Sequence, residues 1–535
     1  MRRGEMRQEK SRAKKKEEQK KRNQKKAEKK MRDYSREHLL FKFHFRDDKE
    51  VAQRIRQGRS DFITGTGWGF FDKFFSFLYA LGFLALLDIK AKGYERMMLP
   101  LVKLLTTYSL KILLGISSMN QVPFLLFREI ALLQMIGFTA QEIKEGICNR
   151  GKGKSVPMHK NTLADMLDRL SEEELSYVLN GAASLLVKKG FLGGETFILD
   201  ATDLPTTEKC QGRGKKKTLK EKWDRRAKKT VQVEEIVYGF KVIVIQELRS
   251  KIIVAAQVVK IQEHESKYTL SLLAQAQRNL GSRKIALLLI DNAFMDGVTL
   301  WEIKHNLKID FITRVRTNMD VATDARSFRD QPPSPWVKKA EREKDGLAVV
   351  GIAGLTTYGQ YGEEEHKKKR YQKDFQANPI NCVMVTCWKG KEYPLGKEKV
   401  FITSLPIEDP LEIIDGYNLR SLIENKGFRE LKQGWMIGHF PMKTEAAARS
   451  HTLLTLTMYS LNACFQTQGG KGLAQKGIRR LRTEDMSTIH KLIVFAGDYF
   501  GIFDVEEYAL IVRAPPQYFV RINPQEVQRR LGLKD

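Results

Sequence analysis

Hydrophobic positions along the chain follow two different rhythms. From Trp68 to about Gly190 they recur at helical spacing, which predicts helices over 70–87, 98–115, 122–136, 140–148, 161–169 and 172–189. At Gly193 the period shortens to two. "ETFILDAT" (195–202), "EIVYGFKVIVIQEL" (235–248) and "KIIVAAQVVKIQE" (251–263) are β-rich runs, the last two close enough for a hairpin. Helical spacing returns in "SKYTLSLLAQAQRNL" (266–280), followed by a strand in "KIALLLIDNAF" (284–294), a helix in "DGVTLWEIKHNL" (296–307) and a strand in "DFITRVR" (310–316).

Three strands, a helix, a strand, a helix and a strand form the order of a ribonuclease H-like α/β core with mixed hairpin and parallel connections. The chain divides accordingly: a basic tail over 1–60, an all-helical region over 61–190, the first part of the core over 191–316, a polar β-rich insertion over 317–404, the second part of the core over 405–465 and a C-terminal region over 466–535. Asp409 before Pro410 is an N-cap and first-turn pair that opens the helix of the second part.

Charge changes the picture next. The 535-residue chain carries a formal net charge of +29, far more than solubility needs, which points to a polyanionic partner, nucleic acid before membrane. The segment "SRAKKKEEQKKRNQKKAEKKMRDYSREHLL" lacks the apolar stripe of a packed helix, so the tail is read as disordered or as a solvated helix able to lie on phosphates. Within 137–170, a helix opened by Thr139, a basic turn and a second helix capped near Asn161 or Thr162 make a candidate helix-turn-helix DNA reader. The apolar run "FFSFLYALGFLALL" (74–87) falls short of the roughly 20 residues of a membrane span and reads as a buried helix. With no secretory signal, a cytoplasmic protein is expected. Five scattered cysteines suggest free thiols, "GGKG" (469–472) lacks the setting of a nucleotide site, and His264, His439 and His451 read as structural or surface groups.

Acids supply the candidate chemistry. Asp200 stands on the first strand and Asp291 ends the fourth. An acid closing an apolar run is costly to bury alone and so usually projects into a cleft. Asp203 and Asp296 close no strand and rank below them, and Asp291 itself could be only a turn former. In "YNLRSLIENKGFRELKQGW" (417–435), Tyr417, Arg420 and Glu424 fall within about 60° of one another on a continuous helix, with Lys432 on the shoulder of that face.

This stretch resembles the Tyr, Arg, Glu, Lys signature of the DDE transposases of bacterial insertion sequences, and "ILDAT" and "LIDNAFMDG" resemble the first and second aspartate blocks of that family. The resemblance covers roughly 190–460, and the blocks arrive in the family's order. The Lys departs from the pattern, because the family's usual position holds Leu431 here. The resemblance implies catalytic, metal-holding Asp200, Asp291 and Glu424, with Tyr417, Arg420 and Lys432 on DNA. It also implies cleavage at the element's ends and joining of the freed 3′-OH to target DNA. Three ionised carboxylates about 5 Å apart repel by roughly 3 kcal/mol per pair at an effective dielectric near 20, so the set calls for cations. Oxygen ligands favour two Mg²⁺ ions, with Mn²⁺ as a substitute. A homodimer on DNA is expected, built on apolar surface of the helical regions before Gly190 and after about 445. The rival readings are a non-enzymatic DNA-binding protein derived from a transposase and a metal-dependent nuclease.

Overall fold

The computed structural model describes residues 17–19, 21–22, 46–89, 100–138, 140–146, 157–224, 229–358, 373–468, 476–497 and 499–533. The chain forms two compact units, residues 1–185 with 433–535, and residues 186–432.

The first unit begins inside the expected tail. Helix α1 (Asp48–Arg56) is capped by Asp47, whose side chain accepts from the backbone N–H groups of Lys49 and Glu50, and it buries Val51, Ala52 and Ile55. The tail therefore ends earlier than its charge suggested, while most of the lysine-rich run lies outside the described residues. A short strand, β1 (Phe62–Thr66), then opens the region expected to be purely helical. The run 74–87 does not make one helix. Helix α2 (Gly69–Leu81) stops at Gly82, whose φ of +82 suits only a residue without Cβ, and a single further turn follows at Phe83–Leu86. Helices α3 (Leu101–Leu113), α4 (Asn161–Arg169) and α5 (Glu172–Lys188) match their predicted spans closely. Of the candidate helix-turn-helix, the two helices Ala140–Glu145 and α4 are present, and the basic turn lies outside the described residues.

The second unit is built on one large mixed sheet. Strand β2 (Thr196–Thr206) is followed by β3 (Gly214–Asp224), β4 (Lys229–Glu247) and β5 (Ile253–Lys260), then helix α6 (Thr269–Leu280) and strands β6 (Leu287–Ile290) and β7 (Asp310–Val315). β4 runs antiparallel between β2 and β5, while β2, β6 and β7 are parallel, so the order β5-β4-β2-β6-β7 is that of a ribonuclease H-like core. The insertion continues this sheet. Its strands β8 (Val337–Arg342), β9 (Leu347–Leu355), β10 (Ile380–Trp388), β11 (Lys391–Glu392) and β12 (Lys399–Thr403) join through β12, which pairs antiparallel with β7. Helix α7 (Pro410–Asn418) follows, started by the Asp409 carboxylate 2.8 Å from the N–H of Leu411.

The remainder of the chain completes the first unit. Helix α8 (Glu445–Gln468) is enclosed on nearly every side, and its Thr452, Thr455, Thr457 and Ser460 hydroxyls donate to carbonyls one turn back, so they are buried with a partner. Its apolar surface is consumed inside the unit, and the exposed apolar side chains after about 445 lie beyond it, at Val505, Val512 and Val520. Strands β13 (Lys491–Ala496) and β14 (Tyr499–Phe503) complete a three-stranded sheet with β1, and α1 packs on it through Val51, Ala52 and Ile55 against Val494 and Phe503. Among the described residues no helix is long and apolar enough to cross a membrane.

Candidate active site

Two parallel neighbours and one helical segment converge at the carboxyl ends of the parallel strands. Leu199 of β2 pairs in register with Ile290 of β6, so Asp200 and Asp291 stand side by side where the two strands run out of their shared ladder. Ligand-binding crevices in open α/β sheets form at such carboxyl ends. Asp200 is buried and accepts from the N–H of Ala201 at 2.7 Å. Asp291 does two things at once: it caps the short turn Asn292–Phe294 and faces the same crevice as Asp200.

The third acid arrives on a segment that is not one continuous α-helix. α7 ends at Asn418, a turn carries Leu419 and Arg420, and residues Ile423–Phe428 wind as a π-helix before Arg429–Gln433 returns to α geometry. The face drawn at 100° per residue is therefore bent, yet the residues still meet. The Arg420 guanidinium reaches Asp200 at 2.7 Å, Glu424 at 3.3 Å and Asp291 at 3.4 Å. Among the described residues no three His, Cys, Asp or Glu side chains converge closely enough to hold a metal ion. The point the three carboxylates share is filled by a cation the protein itself supplies.

The charges around that point are unevenly balanced. Burial pushes the Asp200 carboxyl up to about 7; Arg420 and the Ala201 N–H pull it down, and Asp291 and Glu424 push it up again. One guanidinium divided among three acids does not offset the lost hydration of the most buried one. Burial lowers the Arg420 pKa, but its acidic neighbours outweigh burial and hold it above its ordinary value. Hard oxygen donors with surplus negative charge fit a divalent cation of the Mg²⁺ kind, provided Arg420 turns aside.

Tyr417 is buried, edge-on to Phe401 with ring centroids 4.9 Å apart, and the Arg420 guanidinium lies 5.4 Å from its ring centre. Lys432 stands apart from the cluster. Burial lowers its pKa, and the carboxylate that opposes this is Asp203. Leu431 is buried and Lys432 exposed. Asp203 pairs with Lys216 at 3.2 Å, and Asp296 caps Gly297–Trp301 through the Thr299 N–H.

His451 is fully internal to the first unit. Its Nε2 donates to the Met436 carbonyl at 3.1 Å, leaving Nδ1 to accept from the Tyr108 hydroxyl at 2.9 Å, and burial pushes its pKa down to about 3. The sequence reading missed strand β3, whose lysine-rich composition masks the alternation of Lys215, Lys217, Leu219, Glu221 and Trp223 on one face.

The sheet is a ribonuclease H-like mixed sheet, with two aspartates at the ends of parallel strands and a glutamate on the segment beside them. The sequence model of the transposase DDE domain matches residues 192–461, and the chain belongs to that family of DDE transposases. No curated protein matches the chain. Among solved structures it is similar to a piggyBac transposase, determined by cryo-EM as a synaptic complex with hairpin DNA, at 10% identity over 93% of this chain and 85% of that one. The TM-score is 0.35.

Proposed function

We propose that this chain is a DNA transposase that cuts at the ends of its own element and joins the 3′-OH ends to target DNA. The observation that carries the reading is the convergence of Asp200, Asp291 and Glu424 on one cationic point at the carboxyl ends of the parallel strands. When bound, a pair of Mg²⁺ ions supplies activation of the attacking oxygen and stabilisation of the leaving one in an in-line displacement. Asp200 and Asp291 are the fixed holders, being on adjacent strands, and Glu424, with a side chain 62% exposed, is the acid that adjusts. Arg420 leaves the carboxylates and takes the phosphate beside them, a role its bidentate fork suits. The buried Tyr417 ring positions Arg420 for that exchange, and Lys432 meets the DNA backbone further along the segment.

Two sites must act together to join two ends, so the working form is a homodimer on DNA. Phe124, Leu125 and Ile130, all exposed in the first unit, offer the apolar surface that α8 does not. The test is incubation of the purified protein with Mg²⁺, the DNA flanking its gene and a target plasmid. Strand transfer supports the proposal, cleavage without joining makes the chain a nuclease, and binding without cleavage makes it a DNA-binding derivative.

A further inference from the structure

Strands β3 and β4 extend beyond the sheet they belong to. β4 pairs with β2 only from Tyr238 onwards and with β5 only from Phe240 onwards, while β3 follows it along Lys229–Gly239. Among the described residues, the nine positions from Lys229 to Val237 thus belong to a two-stranded ribbon roughly 30 Å long at about 3.4 Å per residue. Such a ribbon has no core of its own and gains little from standing in water.

One face of it sets uncovered apolar side chains among charged ones, with Lys217 paired to Glu234 at 2.8 Å and Glu221 between Leu219 and Trp223. Cross-strand pairs share a face, and the pairs Lys217 with Ile236, Leu219 with Glu234 and Trp223 with Thr230 alternate along the same side. There Leu219 is 68%, Trp223 63% and Ile236 49% exposed. From Arg213 to Val237 the chain carries ten Lys and Arg against four Asp and Glu. A second copy of the ribbon would set like charge against like, whereas a polyanion matches it.

We infer that this ribbon is a DNA-binding arm that lays its Leu219, Trp223 and Ile236 face into a groove of duplex DNA, with Lys215 and Lys217 on the flanking phosphates. The inference rests on the transposase reading above. A major groove about 12 Å wide admits a two-stranded ribbon, and lysines interleaved with an aromatic and aliphatic side chains suit its phosphate rim and base edges.

The test is a salt titration of full-length protein binding to a fluorescein-labelled random duplex of about 30 base pairs. Wild type is compared with Trp223→Ala and with the double variant Lys215→Gln, Lys217→Gln, all at exposed positions. Trp223→Ala should weaken binding roughly fivefold or more, from the lost apolar contact. The double variant should make the salt slope shallower by about 2, one released counterion per lysine. Wild-type affinity and slope in both variants would overturn the inference. So would a variant that binds DNA normally but sediments as a smaller assembly than wild type, since the face would then belong to a second copy. Wild-type protein that ignores the duplex would sink the transposase reading itself, and the arm with it.

Discussion

Replacing Asp200 by Asn should stabilise the protein while abolishing its chemistry. Burial raises the carboxyl from 3.8 to about 7, so below pH 3.8 it is protonated in folded and unfolded chains alike. Between these values only the folded chain holds the proton, and stability is lost as pH rises through that window. The full loss is roughly 4 kcal/mol, at about 1.4 kcal/mol per pH unit. Asn, like the protonated acid, has no charge to desolvate, and the value of about 7 already includes the pull of Arg420. Without metal, the Asn variant should therefore exceed wild type by up to roughly 4 kcal/mol at pH 8, or about 8–16 °C for a unit of this size. The gain should shrink toward pH 4. Mn²⁺ or Mg²⁺ should raise the melting temperature of wild type and leave the variant nearly unmoved, because the metal relieves a cost the variant does not bear. The assay is thermal unfolding in chelator and in metal from pH 4 to 8. An Asn variant less stable than wild type at pH 8 in chelator would refute the argument that burial outweighs the Arg420 pair.

Asp200→Ala, Asp291→Ala and Glu424→Ala should each abolish strand cleavage and leave duplex affinity within a few-fold, as gel shift and cleavage on one substrate would show; full cleavage in any of them removes that residue from the site. Removing Tyr417 tests its support of Arg420: Tyr417→Phe should keep cleavage and Tyr417→Ala should lose it, with equal loss in both pointing instead to a hydroxyl contact. His451 is neutral in the fold with its pKa pushed down to about 3, so the unfolded chain gains a proton below about 6.5 that the folded chain refuses. Stability should fall by roughly 2 kcal/mol from this group between pH 6.5 and 5. His451→Gln should flatten that fall in denaturant titrations at the two pH values, and an unchanged fall would assign it to other groups. Deleting residues 1–45, ahead of α1, should weaken binding to all duplexes alike and make the salt slope shallower, whereas selective loss on element-end DNA would make the tail a base reader.

Apart from β3, the order of strands and helices from 195 to 316 was legible because each period is local: alternation marks a half-buried strand wherever its partner lies. The acids were legible for the same reason, since Asp200 and Asp291 each interrupt an apolar run. Elements whose stabilisation comes from distant residues were not. α1 looks like tail and β1 falls in a stretch that reads as helical because their apolar partners, β13 and β14, lie at the other end of the chain. α8 reads as spare apolar surface until its own unit closes around it. The π turn that carries Glu424 leaves no period of its own to read. Which cation holds the three carboxylates together was likewise a tertiary matter. A sequence shows that like charges need a counter-charge, but burial and distance decide that Arg420, four residues from Glu424 and far along the chain from Asp200, is the group that supplies it.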